Sequence, residues 1–310
     1  MLSVSELRER WQGVVIPLIT PFAQDGSVDV DGLAKNVQWL MDRGARMGNS
    51  VFLAAGSGGD LTSMTTEERK LVIKTVCDVA DGKVPVMASA QSTDVRVCIE
   101  LCQFGETVGM DAVQLSGPFY YDGRPGDHIA WMQEVAKHTE MGFAVYNNWY
   151  TGYDIPLDVV DAMLDIPNSI AVKWGSPDVF TYVEGVRRFN DRAVVVDNAF
   201  LCELSYPRGI KCHISHLPNF YPEHSWRLHD LAMAGKYWEA AQEWDRLISP
   251  WVKLIAPIRA VTGGEGVFVR PAMEAMGLVG GRSPLPSRDE VITPELRAAY
   301  QTYIDTYCRD

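Results

Sequence analysis

Short apolar runs recur along the chain, each followed by a stretch whose apolar residues return every three or four positions. The runs predict strands buried on both faces, and the stretches between them predict amphipathic helices. Strands are expected over residues 14–20, 51–55, 84–90, 112–115, 143–147, 170–175, 193–197 and 212–216. Helices are expected over 31–43, 65–80, 95–107, 127–139, 157–164 and 179–188, with a short one over 201–206. In the first of these Leu33, Val37, Leu40 and Met41 share one face. Thr65 and Glu68 have the spacing of a capping box. After residue 222 the pattern turns wholly helical, over 222–233, 237–247, 251–261, 271–276 and 294–307.

Eight strands, each followed by a helix within about 220 residues, predict a (β/α)8 TIM barrel. On that count residues 1–235 form the barrel and 236–310 a helical extension. A doubly wound open sheet is the competing architecture. Against it, the glycine-rich turn Gly56-Ser57-Gly58-Gly59 is not GxGxxG, and no acidic residue follows at dinucleotide spacing.

The totals narrow the function classes. A net charge of −12 over 310 residues argues against nucleic acid or an anionic membrane as partner. No apolar segment approaches the ~20 residues that span a bilayer. Residues 1–12 carry Glu6, Arg8 and Glu9 and do not read as a signal peptide. The six cysteines form no CxxC pair and read as reduced thiols of a cytoplasmic protein, with Cys98 and Cys102 on a helix's core face. The six histidines lack metal-binding spacing. No cofactor is expected.

One apolar run, Ile170-Ala171-Val172-Lys173-Trp174-Gly175, carries a lysine. Burying an ammonium is costly, so desolvation favours the neutral amine, which condenses with a carbonyl to form a Schiff base. On spacing alone, a strand-end lysine with its head in water is the commoner case. The remaining strand ends change the picture, because in a barrel chemistry gathers there. They offer Ser57 in its glycine-rich turn, Tyr120, Tyr146-Asn147 and Ile214-Ser215. A phenol can carry the proton of a carbinolamine, and a glycine-rich turn can present backbone N–H groups to a carboxylate.

These residues resemble the dihydrodipicolinate synthase / N-acetylneuraminate lyase family of class I Schiff-base lyases. The likeness runs from about residue 13 to 282. It rests on Val14-Val15-Ile16-Pro17-Leu18-Ile19-Thr20-Pro21-Phe22, on Gly56-Ser57-Gly58-Gly59-Asp60 at the family's GTTGE segment, on Pro118-Phe119-Tyr120-Tyr121, on Tyr146-Asn147 and on Val172-Lys173. The resemblance implies that Lys173 forms an imine with pyruvate or another 2-oxo acid, with Tyr146 as general acid/base. It implies that Ser57 links Tyr146 to Tyr120, which in the family reaches across a dimer interface. It further implies that Gly56, Ser57 and Gly58 hold the carboxylate, that Ile214 packs on the pyruvate unit, and that the protein is a homotetramer, a dimer of dimers.

The departures are specific. The loop Asn147-Asn148-Trp149-Tyr150-Thr151-Gly152 lacks the arginine that holds the second substrate's carboxylate in true dihydrodipicolinate synthases. Gly58 stands at the second family threonine, Asp60 at the usual glutamate, and Cys212 and His213 replace small or apolar residues. Trp149, Tyr150, Trp174 and His213, with Asn147, are expected to wall a pocket for a less polar second carbonyl substrate, aromatic ones included. Aldol cleavage and dehydration share the imine and stay open, as do true dihydrodipicolinate synthase activity and a non-catalytic barrel that binds a 2-oxo acid.

Overall fold

The computed structural model describes residues 1–120, 123–150 and 153–309. Tyr121, Thr151 and Gly152, quoted in the motifs above, lie outside them. Eight parallel strands close into a barrel in sequential order: β1 Gly13–Pro17, β2 Ser50–Ala54, β3 Val86–Ser89, β4 Ala112–Leu115, β5 Phe143–Tyr146, β6 Ser169–Trp174, β7 Val194–Asp197 and β8 Cys212–Ile214. Every strand residue is buried, as the continuous apolar runs predict.

The helices are α1 Val4–Arg10, α2 Val30–Asp42, α3 Thr66–Ala80, α4 Val95–Val108, α5 Pro125–Ala136, α6 Leu157–Leu164, α7 Val179–Phe189, α8 Cys202–Ser205, α9 Pro222–Met233, α10 Tyr237–Arg259, α11 Gly266–Ala275 and α12 Pro294–Tyr307. The Thr65–Glu68 capping box at the start of α3 is formed in both directions. The chain is thus a (β/α)8 barrel with a helical C-terminal part.

Three elements differ from the sequence pattern. The first is α1, opened by a Ser3–Glu6 capping box and tied to the barrel where Arg10 pairs with Asp111 at 2.7 Å. Its short polar sequence shows no amphipathic period, so only the cap signals it. The second is the single 23-residue α10, where two helices are expected, with Pro250 and Pro257 inside it. Each proline removes one backbone donor, yet Trp251, Ile255 and Ile258 hold the helix against the core on either side. The third is α11, which begins five residues before Pro271.

Packing divides the chain into two compact units. One comprises Met1–Val15, Arg46–Phe52 and Gly82–Ile214; the other comprises Ile16–Ala45, Leu53–Asp81 and Ser215–Asp310. In the second unit the helices after β8 build an aromatic core around Trp251. Its ring lies 5.1 Å from Phe220, 5.5 Å from Tyr303 and 6.0 Å from Tyr300, centroid to centroid. The Tyr303 hydroxyl donates to the Leu247 carbonyl and Tyr300 to that of Phe268, so both phenols are satisfied inside the core. Truncating a buried tryptophan removes these contacts and leaves a void. Trp251→Ala is expected to cost about 3–5 kcal/mol, read as a lower urea midpoint.

Candidate active site

The orientation of β6 decides where Lys173 points. Trp174 is fully buried. Its indole N–H donates to the Tyr182 carbonyl of α7 at 3.0 Å, and its ring meets Phe189 edge-on at 5.1 Å. The ring also lies against Gly185, where an added Cβ would come within 2.4 Å of it. Trp174 therefore faces the helix layer, and by strand alternation Lys173 faces the barrel interior. This corrects the expectation that Trp174 walls a substrate pocket: adjacent residues of one strand cannot both face the interior.

His213 requires the same correction. Asp197 lies opposite Trp174 in the β6–β7 register, and His213 opposite Asp197 in the β7–β8 register, so all three share the outward face. Asp197 is fully buried and accepts from the backbone N–H groups of Ala199 and Leu201 and from the Ser205 hydroxyl. Burial pushes its carboxyl pKa up, and these donors pull against that shift. His213 Nδ1 lies 2.9 Å from the Tyr206 hydroxyl in the turn after α8. It is a packed strand histidine, away from the interior. Ile214, the next residue, faces inward and is 3% exposed. Burial pushes the Cys212 thiol up as well, which keeps it protonated and unreactive.

Tyr146 lies opposite Lys173 in the β5–β6 register and points the same way. The Lys173 Nζ sits 3.9 Å from the centroid of the Tyr146 ring, with the two residues 4% and 1% exposed. The Tyr146 hydroxyl is 2.5 Å from that of Tyr150, and either can donate. Tyr150 is 45% exposed and meets Trp149 edge-on at 5.5 Å. An amine, a buried phenol and a phenol open to solvent thus stand in sequence. This Tyr146–Tyr150 pairing is absent from the expected relay, and the four-residue spacing across a loop gives no sign of it.

Asn147 does different work from the expected substrate contact. Its side-chain N–H groups donate to Asp154 Oδ1 and to the Gly175 carbonyl, both at 2.8 Å, and its Oδ1 accepts from the Ile155 N–H at 2.9 Å. Fully buried and bonded at both ends of its amide, it braces the loop that carries Tyr150. Tyr120, in contrast, is 78% exposed.

The turn after β2 belongs to the second unit, separate from the one that holds β5 and β6. Ala55 takes φ 47°, and the chain then folds tightly, with Gly59 N–H and Leu61 N–H both donating to the Gly56 carbonyl and Asp60 N–H to that of Ser57. The N–H groups of Ser57 and Gly58 have no acceptor among the described residues. Two adjacent free N–H groups are a candidate anion cradle. Asp60 anchors it from behind: its Oδ2 lies 2.8 Å from Arg270 Nη2, which also donates to the Thr20 carbonyl at 2.6 Å. Burial pushes the Asp60 carboxyl up, and the guanidinium opposes that shift. Arg270 carries no motif signal in the sequence; only the fold brings it to Asp60.

Among the described residues no group of three or more His, Cys, Asp or Glu side chains could hold a metal ion. Among the same residues no helix is long and apolar enough to cross a membrane.

The profile of the dihydrodipicolinate synthetase family matches residues 10–302. The chain belongs to this family. Among its relatives is a 4-hydroxy-tetrahydrodipicolinate synthase of Methanospirillum hungatei, 29% identical over 94% of this chain and 99% of that one. Another, from Methanosarcina barkeri, is 26% identical over 89% and 92%. Among solved structures, a dihydrodipicolinate synthase of Bacillus anthracis superposes with a TM-score of 0.84 at 24% identity, covering 96% of this chain and 99% of that one. An N-acetylneuraminate lyase of Mycoplasma synoviae gives 0.81 at 19% identity, covering 97% and 99%. Members of the dihydrodipicolinate synthetase family are Schiff-base lyases, and this chain is a lyase of that family.

The Asp60–Arg270 pair generates a stability prediction. Removing one partner of a buried pair strands the other charge, at a cost of about 3–5 kcal/mol. Arg270→Met is expected to lose that much in urea denaturation, and Asp60→Leu/Arg270→Met to recover most of it.

Proposed function

We propose that this chain acts on a 2-oxo acid, pyruvate or a 2-keto-3-deoxy acid, through an imine on Lys173. The observation that carries this reading is the buried Lys173 amine against the face of Tyr146, whose hydroxyl meets that of Tyr150. The amine adds to the keto carbon, and Tyr146 moves protons as the carbinolamine loses water. The imine then draws electrons from the neighbouring carbon–carbon bond, or lets a proton leave to give the enamine. An aldehyde departs in cleavage or is attacked in condensation; in dehydration a hydroxyl group leaves as water. The imine is itself the electron sink, so the reaction calls for no further cofactor.

Within the second unit, the free N–H groups of Ser57 and Gly58 at the turn that Gly56 opens support binding of a carboxylate; within the first, inward-facing Ile214, on the same face as Lys173, supports packing on the pyruvate unit. Tyr120, exposed on its loop, is available to a neighbouring subunit of a homo-oligomer. The exposed pair Trp149 and Tyr150 supports a second substrate that is less polar and stacks on aromatic rings. The relatives named 4-hydroxy-tetrahydrodipicolinate synthase support that same activity as the alternative.

Borohydride reduction in the presence of pyruvate tests the imine. Wild type is expected to gain the trapped adduct and Lys173→Ala to gain none. Tyr146→Phe is expected to trap it more slowly and to lose turnover by about 10²–10⁴-fold, the range for a positioned proton-transfer group. A wild type that traps no 2-oxo acid overturns the reading. Turnover with aromatic aldehydes above that with carboxylated ones supports the aromatic partner, and the reverse order supports the alternative.

A further inference from the structure

Burial gives the Tyr146 hydroxyl a problem of proton supply. The residue is 1% exposed at the end of β5, with Lys173 Nζ 3.9 Å from its ring centroid. A phenol gives up its proton reluctantly, its ordinary pKa being about 10, and a phenolate left in a buried site lacks its hydration. A proton that leaves this oxygen must therefore be replaced by a neighbour as it goes. The Tyr150 hydroxyl stands 2.5 Å away, at the short end of the O–H···O range. Tyr150 is 45% exposed, so its own oxygen can exchange with water.

The loop is built to keep that contact. Asn147, directly after Tyr146, donates to Asp154 and to the Gly175 carbonyl and accepts from the Ile155 N–H. Gly175 directly follows β6, so the loop bearing Tyr150 is tied to the strand of Lys173. Trp149 meets the Tyr150 ring edge-on. Amine, both phenols and brace all belong to the first unit. In the motif this chain resembles, the second tyrosine of the relay comes from another subunit. Tyr150 instead lies four residues downstream of Tyr146 on the same chain.

Resting on the imine reading above, we infer that Tyr150 is the proton relay of Tyr146, so that the proton path from solvent to the reacting centre is complete within one chain. As the carbinolamine collapses, the nitrogen lone pair forms the C=N bond and the C–O bond breaks. The departing oxygen takes the Tyr146 proton and leaves as water. Tyr146 recovers a proton from Tyr150, and Tyr150 recovers one from solvent water. The balance is one proton taken up from solvent for each iminium formed. Tyr150 touches no reacting atom and acts through Tyr146 as a positioning residue.

The test is the rate of imine formation with saturating pyruvate and no second substrate, followed by borohydride trapping after rapid mixing. Tyr150→Phe keeps the ring and its contact with Trp149 and loses only the hydroxyl. It is expected to trap the full amount of adduct, with unchanged half-saturation, about ten- to a hundredfold more slowly, the worth of one hydrogen bond to a charged oxygen. Tyr146→Phe/Tyr150→Phe should be no slower than Tyr146→Phe alone, since the relay has nothing left to feed. Raising the concentration of a small buffer acid should speed Tyr150→Phe and leave wild type unchanged, because the proton then reaches Tyr146 from solution. Thermal unfolding and the final adduct yield confirm a folded variant. A Tyr150→Phe rate within twofold of wild type overturns the inference, and that result is expected if Tyr150 serves only to stack a second substrate. Penalties that multiply in the double variant overturn it, as does an equal buffer response in wild type and Tyr150→Phe. These three results leave the imine reading standing, whereas a wild type that traps no 2-oxo acid overturns both.

Discussion

The two-residue period of β6 is the constraint on which the placement of Lys173 and Tyr146 depends. Lys173 points inward because Trp174 cannot: the indole is committed to the Tyr182 carbonyl, Phe189 and the bare backbone of Gly185. A slip of one residue would exchange the two side chains, burying the amine under α7 and driving the indole into the barrel. Asp197 and His213, in register with Trp174, extend the same outward row across β7 and β8. Tyr146, in register with Lys173, extends the inward one. The largest side chain of the strand thus fixes the aim of the lysine beside it.

The two units show two kinds of organisation. On β5 and β6 the side chains are set by sheet register, and rigid strands hold them with little freedom. On the turn after β2 the useful groups are backbone N–H donors, and their direction comes from the chain's path through Ala55, Gly56 and Asp60. That path is tied down by a buried ion pair reaching to α11. Asn147 plays the corresponding part for the loop bearing Tyr150, holding it from both sides of its own amide. Each brace lies one step behind the groups it orients.

Much of this was legible in the sequence because the barrel repeats one local pattern eight times. The apolar runs gave the strands, and the strand ends gave Lys173, Tyr146 and the glycine-rich turn. What stayed hidden depends on direction and distance. Trp174 and His213 sit next to inward-facing residues in sequence, so proximity along the chain suggested a shared pocket; the pleat sends them the other way. Arg270 comes from a segment far from the turn it anchors, and it has no periodic or motif signature. The continuity of α10 through Pro250 and Pro257 was unreadable for a related reason: packing against the aromatic core outweighs local propensity.

Gly185 has a consequence for how such a chain can change over generations. With the indole 2.4 Å from where its Cβ would stand, any larger residue at 185 overpacks the layer while Trp174 is present. Shrinking Trp174 first opens a cavity that a side chain at 185 can then fill. The two positions form a ratchet with a permitted order of steps, and the tryptophan must yield before the glycine does. Position 185 therefore stays glycine for as long as Trp174 is kept.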